Sequence, residues 1–127
     1  MKRTYLGLIL TLLFSLSFAQ QSNLGPHGGR IKTAGKYKVE LLGCDNYLEV
    51  YLYDADTNAV NNKEVTGSIE FYYNSEASLN STLVRYGMDG FTARIPNNTF
   101  FYSKVTFDIN GLLLVTEKFD NECLKRN

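Results

Sequence analysis

Few side chains in this chain of 127 residues could carry chemistry. Its one histidine, His27, stands in Pro26-His27-Gly28-Gly29, where two glycines let the backbone approach a ligand or another strand closely. A histidine imidazole is neutral near pH 7 and binds borderline or soft metals such as Cu, Ag or Zn. One histidine does not make a site. Further ligands would have to come from Met88, from Cys44 and Cys123 if reduced, or from loop carboxylates. The alternative is a histidine with a structural or incidental role. Catalysis lacks its parts: there is no Gly-x-Ser-x-Gly, no His-Glu-x-x-His, no phosphate-binding loop and no clustered Cys/His set. The chain is therefore expected to be non-catalytic. Asp54-x-Asp56-x-Asn58 opens like a calcium loop, but Ala59 occupies the tight-turn glycine position and Val65 that of the closing glutamate. Asp and Asn at that spacing are ordinary turn residues.

These residues sit in a chain that begins with an address. Lys2 and Arg3 precede an apolar run over residues 6–16, and Ser17-Phe18-Ala19 is a small-residue exit. That is the pattern of a secretory signal peptide over residues 1–19, with cleavage after Ala19 and a periplasmic or secreted product. The run is too short for a comfortable membrane span, and nothing later resembles one. Removing Lys2 and Arg3 leaves 11 basic residues against 13 acidic ones, so no basic field exists to attract nucleic acid. In an oxidising compartment Cys44 and Cys123 are expected to form a disulfide; the competing reading is two free thiols serving a soft metal. Cleavage after Ala19 also places His27 too deep for an amino-terminal copper motif, which needs histidine third.

Residues 20–35 read as a polar leader and glycine-rich segment, with a short edge segment from Arg30. A single domain is expected over residues 36–127. Strands are expected at 36–43, with Tyr37, Val39 and Leu41 facing one way and Lys38, Glu40 and Leu42 the other, and at 47–53, with Leu48, Val50 and Leu52 inward. Residues 64–73 give a third, whose Gly67 suggests a bulge or a close backbone approach. Two short strands come next, at 82–86 and 91–95. The closing pair, 99–109 and 112–119, is joined by Asn110-Gly111, which suits a type I′ hairpin turn. A two-residue loop would pair Ile109 with Leu112, Phe107 with Leu114 and Val105 with Thr116, leaving one face apolar and in need of cover. About seven antiparallel strands and no helix after the signal peptide predict an all-β, immunoglobulin-like sandwich, with a small barrel as the alternative.

The stretch from Pro26 to Glu40, then Leu48-Glu-Val-Tyr-Leu-Tyr-Asp54 and Val65-Thr-Gly67, resembles small exported β-sandwich proteins of Bacteroidetes-type bacteria. It is also similar to the start of periplasmic adaptor subunits of heavy-metal efflux systems. The resemblance covers residues 26–67, and the long helical hairpin and lipoyl-like parts of an adaptor are missing. It implies copper- or silver-type metal handling, with a metal ion or an efflux-system protein as partner. His27 is the one matching position able to act as a ligand, and Glu40 matches as well. A different use of the same chain needs no metal. Tyr47, Tyr51, Tyr53, Tyr72 and Tyr102 are expected on outer strand faces, where exposed tyrosines suit a protein–protein contact. The expectation is thus an exported binding module for a metal, or alternatively an interaction or surface-assembly domain.

Overall fold

A computed structural model describes residues 23–74 and 77–126. The expected signal peptide and most of the polar leader lie outside the described residues. Eight strands succeed one another: β1 (Arg30–Ala34), β2 (Tyr37–Leu42), β3 (Tyr47–Asp54), β4 (Val65–Tyr72), β5 (Ser78–Tyr86), β6 (Gly90–Arg94), β7 (Tyr102–Ile109) and β8 (Leu113–Asp120). All neighbours are antiparallel, and the order across the sheet is β1-β2-β3-β6-β5-β4-β7-β8.

The all-β expectation holds, but the strands form one continuous, nearly closed sheet rather than seven strands in two layers. Two local features account for the difference. β5 turns the corner: residues up to Leu83 pair with β4, and Val84 to Tyr86 pair with β6, so no gap separates two sheets. The segment from Arg30, expected only as an edge, pairs with β2 along its whole length. The two outer strands then meet through side chains. The Arg30 guanidinium donates to the Asp120 carbonyl, and Lys32 Nζ donates to the Lys118 carbonyl at 2.6 Å.

The expected alternation positions the core. Val39 and Leu41 of β2, Leu48, Val50 and Leu52 of β3, and Val65, Ile69 and Phe71 of β4 all face inward and are buried. Gly67 falls on the same face, where a Cβ would come within 2.9 Å of the Phe107 ring and 2.7 Å of Leu83. The close approach anticipated there is made by core side chains. Phe107 also packs against Phe91, with ring centroids 5.1 Å apart.

The closing hairpin differs from expectation by one residue. Asn110 and Gly111 take positive φ values of 57° and 71°, as a type I′ turn requires, and Leu112 N donates to the Ile109 carbonyl at 3.1 Å. Leu112 then joins the loop, so Ile109 faces Leu113, Phe107 faces Val115 and Val105 faces Glu117. Side chains alternate along a strand, so this slip turns Val115 and Phe119 inward and leaves Leu112 and Leu114 exposed. In this register Phe119 is fully buried while the leucines beside the turn are exposed.

A short helix, α1 (Glu122–Arg126), was not expected. Its start is set by Asn121, whose Oδ1 accepts from Cys123 N at 2.9 Å, as an N-cap does. The Asn121 amide also donates to the carbonyls of Asn98 and Phe100, which buries it at the barrel end. Cys123 is bonded to Cys44, tying α1 to the turn after β2. The disulfide accords with an oxidising, exported location. Among the described residues no helix is long and apolar enough to cross a membrane.

Candidate functional site

The outer face of β2 and β3 is where the candidate residues meet. Alternation sends Glu40 outward from β2 and Tyr51 and Tyr53 outward from β3, with Glu40 directly opposite Tyr51. Water does not cover them. Residues 24–29 fold back over this face as a tight loop, with Gly28 N donating to the Gly25 carbonyl at 2.9 Å and Gly25 N to the Gly29 carbonyl at 2.8 Å. A bridge between Leu24 and Arg30 closes its neck. The glycines permit the contact: a Cβ on Gly25 would lie 2.3 Å from the Glu40 carboxyl carbon, and Gly28 has φ of +81°.

Glu40 is fully buried and serves as the loop's anchor. Its Oε2 accepts from Gly29 N at 2.8 Å and from His27 N at 3.0 Å. Its Oε1 accepts from the Tyr53 hydroxyl at 2.5 Å and lies 3.1 Å from His27 Nδ1. A buried carboxylate is tolerated only when its lone pairs are satisfied, and here four donors converge on it. Burial, and then the hydrogen bond to Glu40, push the Tyr53 phenol well above its ordinary range. Tyr51 is pushed up as well, first by burial and then by the charges of Glu49 and Asp89.

The same network assigns the histidine tautomer. The Tyr53 proton is given to Glu40, so the Tyr53 oxygen, 2.7 Å from His27 Nδ1, must accept. Nδ1 therefore carries a proton, and in the neutral ring Nε2 is the nitrogen that holds the lone pair. The ring lies flat on Tyr51, with centroids 3.6 Å apart and planes within 9°, and the side chain stays 37% exposed. Tyr51 in turn lies over Gly90, where a Cβ would fall 2.7 Å from the ring. An imidazole oriented through Nδ1 by a carboxylate is an arrangement that metal-binding histidines commonly use.

The remaining candidates are more scattered. Cys44 and Cys123 are joined, so neither offers a thiolate. Met88 is 73% exposed in the β5–β6 turn, which Asn62 holds through the carbonyls of Gly87, Met88 and Gly90. That turn borders the Tyr51 ring through Gly90. Among the described residues no group of three or more His, Cys, Asp or Glu side chains could hold a metal ion. The Asp54 segment folds as a turn, its carboxylate accepting from Asp56 N and Asn58 N. The five tyrosines do not share one patch. Tyr51 and Tyr53 are buried under the loop and Tyr47 is exposed, while Tyr72 and Tyr102 stack on each other across β4 and β7.

Sequence reasoning placed Glu40 and the tyrosines on the correct face but missed that the loop covers them. A charged strand residue among tyrosines, behind a glycine-rich segment, is the signal that could have revealed the cover. No protein-family model, no curated protein and no solved structure matches this chain.

Proposed function

We propose that the chain is an exported, non-catalytic binding module whose 24–29 loop presents His27 as a single ligand to a soft or borderline metal ion, as an accessory to heavy-metal efflux or tolerance would. The observation that carries this reading is the Glu40–Tyr53 clamp on Nδ1, which leaves Nε2 with its lone pair on a partly exposed ring. One protein ligand suits transient capture and transfer rather than storage, with water or a partner protein completing the coordination. On this reading residues 1–19 are a signal peptide.

Titration of the mature protein with Cu(I), Ag(I), Cu(II) and Zn(II), beside His27→Ala, tests it. One-to-one binding that weakens at least about tenfold in the variant is expected. Millimolar binding, or equal binding by both proteins, overturns it.

A protein-interaction role is the second reading, favoured by a different observation. Leu112, Leu113 and Leu114 are exposed at the hairpin tip, beside a groove of about 510 Å³ lined by Ala34, Tyr37 and Val115. Contiguous exposed leucines of this kind mark contact surfaces. Partner capture that survives His27→Ala but is lost in Leu112→Ser/Leu114→Ser would favour it.

A further inference from the structure

The outer edge of β1 has begun to pair with the chain that precedes it. Leu24 bridges Arg30 in antiparallel sense, and the bonds flanking that bridge are both made. Gly25 N donates to the Gly29 carbonyl at 2.8 Å, and Ile31 N donates to the Asn23 carbonyl at 3.2 Å. The other edge of β1 is taken by β2, with Arg30 against Leu41 and Ile31 against Glu40. The 24–29 loop is therefore the turn of a hairpin. Its second arm is β1, and among the described residues its first arm is only Asn23 and Leu24. An antiparallel arm continued back from Asn23 follows β1 towards Ala34.

That direction leads into the seam of the barrel. The strand order begins at β1 and ends at β8, so among the described residues no other strand pairs with the outer edge of β8. At one end of the seam Arg30 and Lys32 span the gap with long side chains, reaching the carbonyls of Asp120 and Lys118. Carbonyls alternate in direction along a strand, so those of Thr116 and Leu114 face the same way. There the seam widens into a groove of about 510 Å³ between Ala34, Gly35 and Tyr37 on one side and Leu113 to Thr116 on the other. Outward-facing backbone groups beside such a groove call for another strand.

We propose that residues 20–22 dock in this seam as a short ninth strand, antiparallel to β1, with Ser22 opposite Lys32, Gln21 opposite Thr33 and Gln20 opposite Ala34. The register follows from the Leu24–Arg30 bridge and needs no bulge. Three residues extend about 10 Å, which takes the arm from Asn23 to the near wall of the groove. The segment is tethered at the edge it would join, so it avoids the entropy loss of bringing two molecules together. Ser22, the smallest of the three, falls opposite Lys32, whose side chain crosses the seam. Thr33 is two residues beyond Ile31 and turns its N–H and carbonyl to the same edge, where Gln21 meets them. Docking thus covers an open strand edge and fixes the neck of the His27 loop, whatever that histidine binds.

The test is NMR on the chain that begins at Gln20, beside a shortened chain that begins at Asn23 and a Gln21→Pro variant, whose residue 21 has no N–H to donate. An Hα–Hα contact between Leu24 and Arg30 is the control in all three, as is slow amide exchange at Val39. An Hα–Hα contact between Ser22 and Lys32 is expected in the Gln20 chain, with Thr33 amide exchange at least tenfold slower than in the shortened one. Gln21→Pro should lose both signals. The proposal is overturned if the Ser22–Lys32 contact is absent, or if Thr33 exchanges equally in the Gln20 and shortened chains. It is also overturned if Thr33 protection disappears on dilution with dissociation of a dimer, which would give the edge to a second copy. His27→Ala should leave every one of these signals in place, so this proposal and the metal-binding reading fail separately.

Discussion

Glu40 sits on an outer strand face yet is one of the most buried side chains of the described residues. A charge there survives because the loop returns two backbone N–H groups, and Tyr53 and His27 return two side-chain donors. Glu40→Gln replaces one acceptor by an NH₂ that faces donors. It should cost about 1.5–3 kcal/mol in denaturant unfolding, the range for hydrogen bonds to a charged group. Amide exchange at His27 and Gly29 should accelerate with it; unchanged protection would show that the loop is held otherwise. On the opposite half, the hydrogen bond to Glu70, and then burial, push the Tyr72 phenol up to about 12. Glu70 is correspondingly lowered by the hydrogen bonds from Tyr72 and Ser78. The neutral phenol is thus favoured by folding, and its contribution is complete below the ordinary value of 10.0 and lost as pH rises to about 12. The Glu70 contribution has the opposite sense: it is present above 4.5 and lost as pH falls through the lowered folded value. Phenolate absorbance of the native protein should show a component near 12, and Tyr72→Phe should reduce the late absorbance by one tyrosine while the raised Tyr51 and Tyr53 remain.

At the scale of elements, the closing hairpin shows how much one loop residue decides. Its turn chemistry was legible, because two adjacent positive φ angles are tolerated best by Asn-Gly. Its register was not. Alternation is satisfied equally by Leu114 or by Val115 facing Phe107, and the fold takes Val115, with Phe119 fully buried on the same face. Asn110→Ala, at φ of 57°, should destabilise the hairpin by about 1 kcal/mol, the left-handed penalty for a residue with a Cβ and no compensating side-chain bond. Deleting Leu112 should cost less than about 1 kcal/mol, since it restores the two-residue turn without moving β8. Thermal unfolding of both variants checks this, and a severe loss on deletion would mean that Leu112 holds the strand in place. The 24–29 loop obeys the same logic: Gly25 is needed for contact with Glu40, Gly29 for contact with Leu41 and Leu42, and Gly28 for its positive φ.

Across the whole molecule, the barrel stops short of closure between β1 and β8, where Arg30 and Lys32 reach over to β8 carbonyls in place of a strand ladder. Arg30 also pairs with Glu122 at 3.0 Å, and Cys123 beside it is tied to Cys44 across 79 residues of sequence. The disulfide thus spans from the β2 end of the sheet to the tail beyond β8. Cys44→Ser/Cys123→Ser should lower stability by about 2–4 kcal/mol through the greater freedom of the unfolded chain. Calorimetry under matched conditions measures it. A change below about 0.5 kcal/mol would mean that the Arg30 and Lys32 bridges hold the seam by themselves.

Local periodicity and turn chemistry are the features that the sequence determined by itself. The alternation of β2, β3 and β4 named Val39, Val50 and Ile69 as core, and Asn110-Gly111 marked the hairpin. The cysteine pairing was expected from its number and compartment. Tertiary structure alone decided the rest. Two separate sheets and one nearly closed sheet bury the same alternating residues, so only the double pairing of β5 distinguishes them. Likewise, an outward glutamate looks solvated until a loop 13 residues earlier in sequence folds over it. Periodicity reports which face a side chain is on, whereas the cover over that face is settled by contacts between segments distant in the chain.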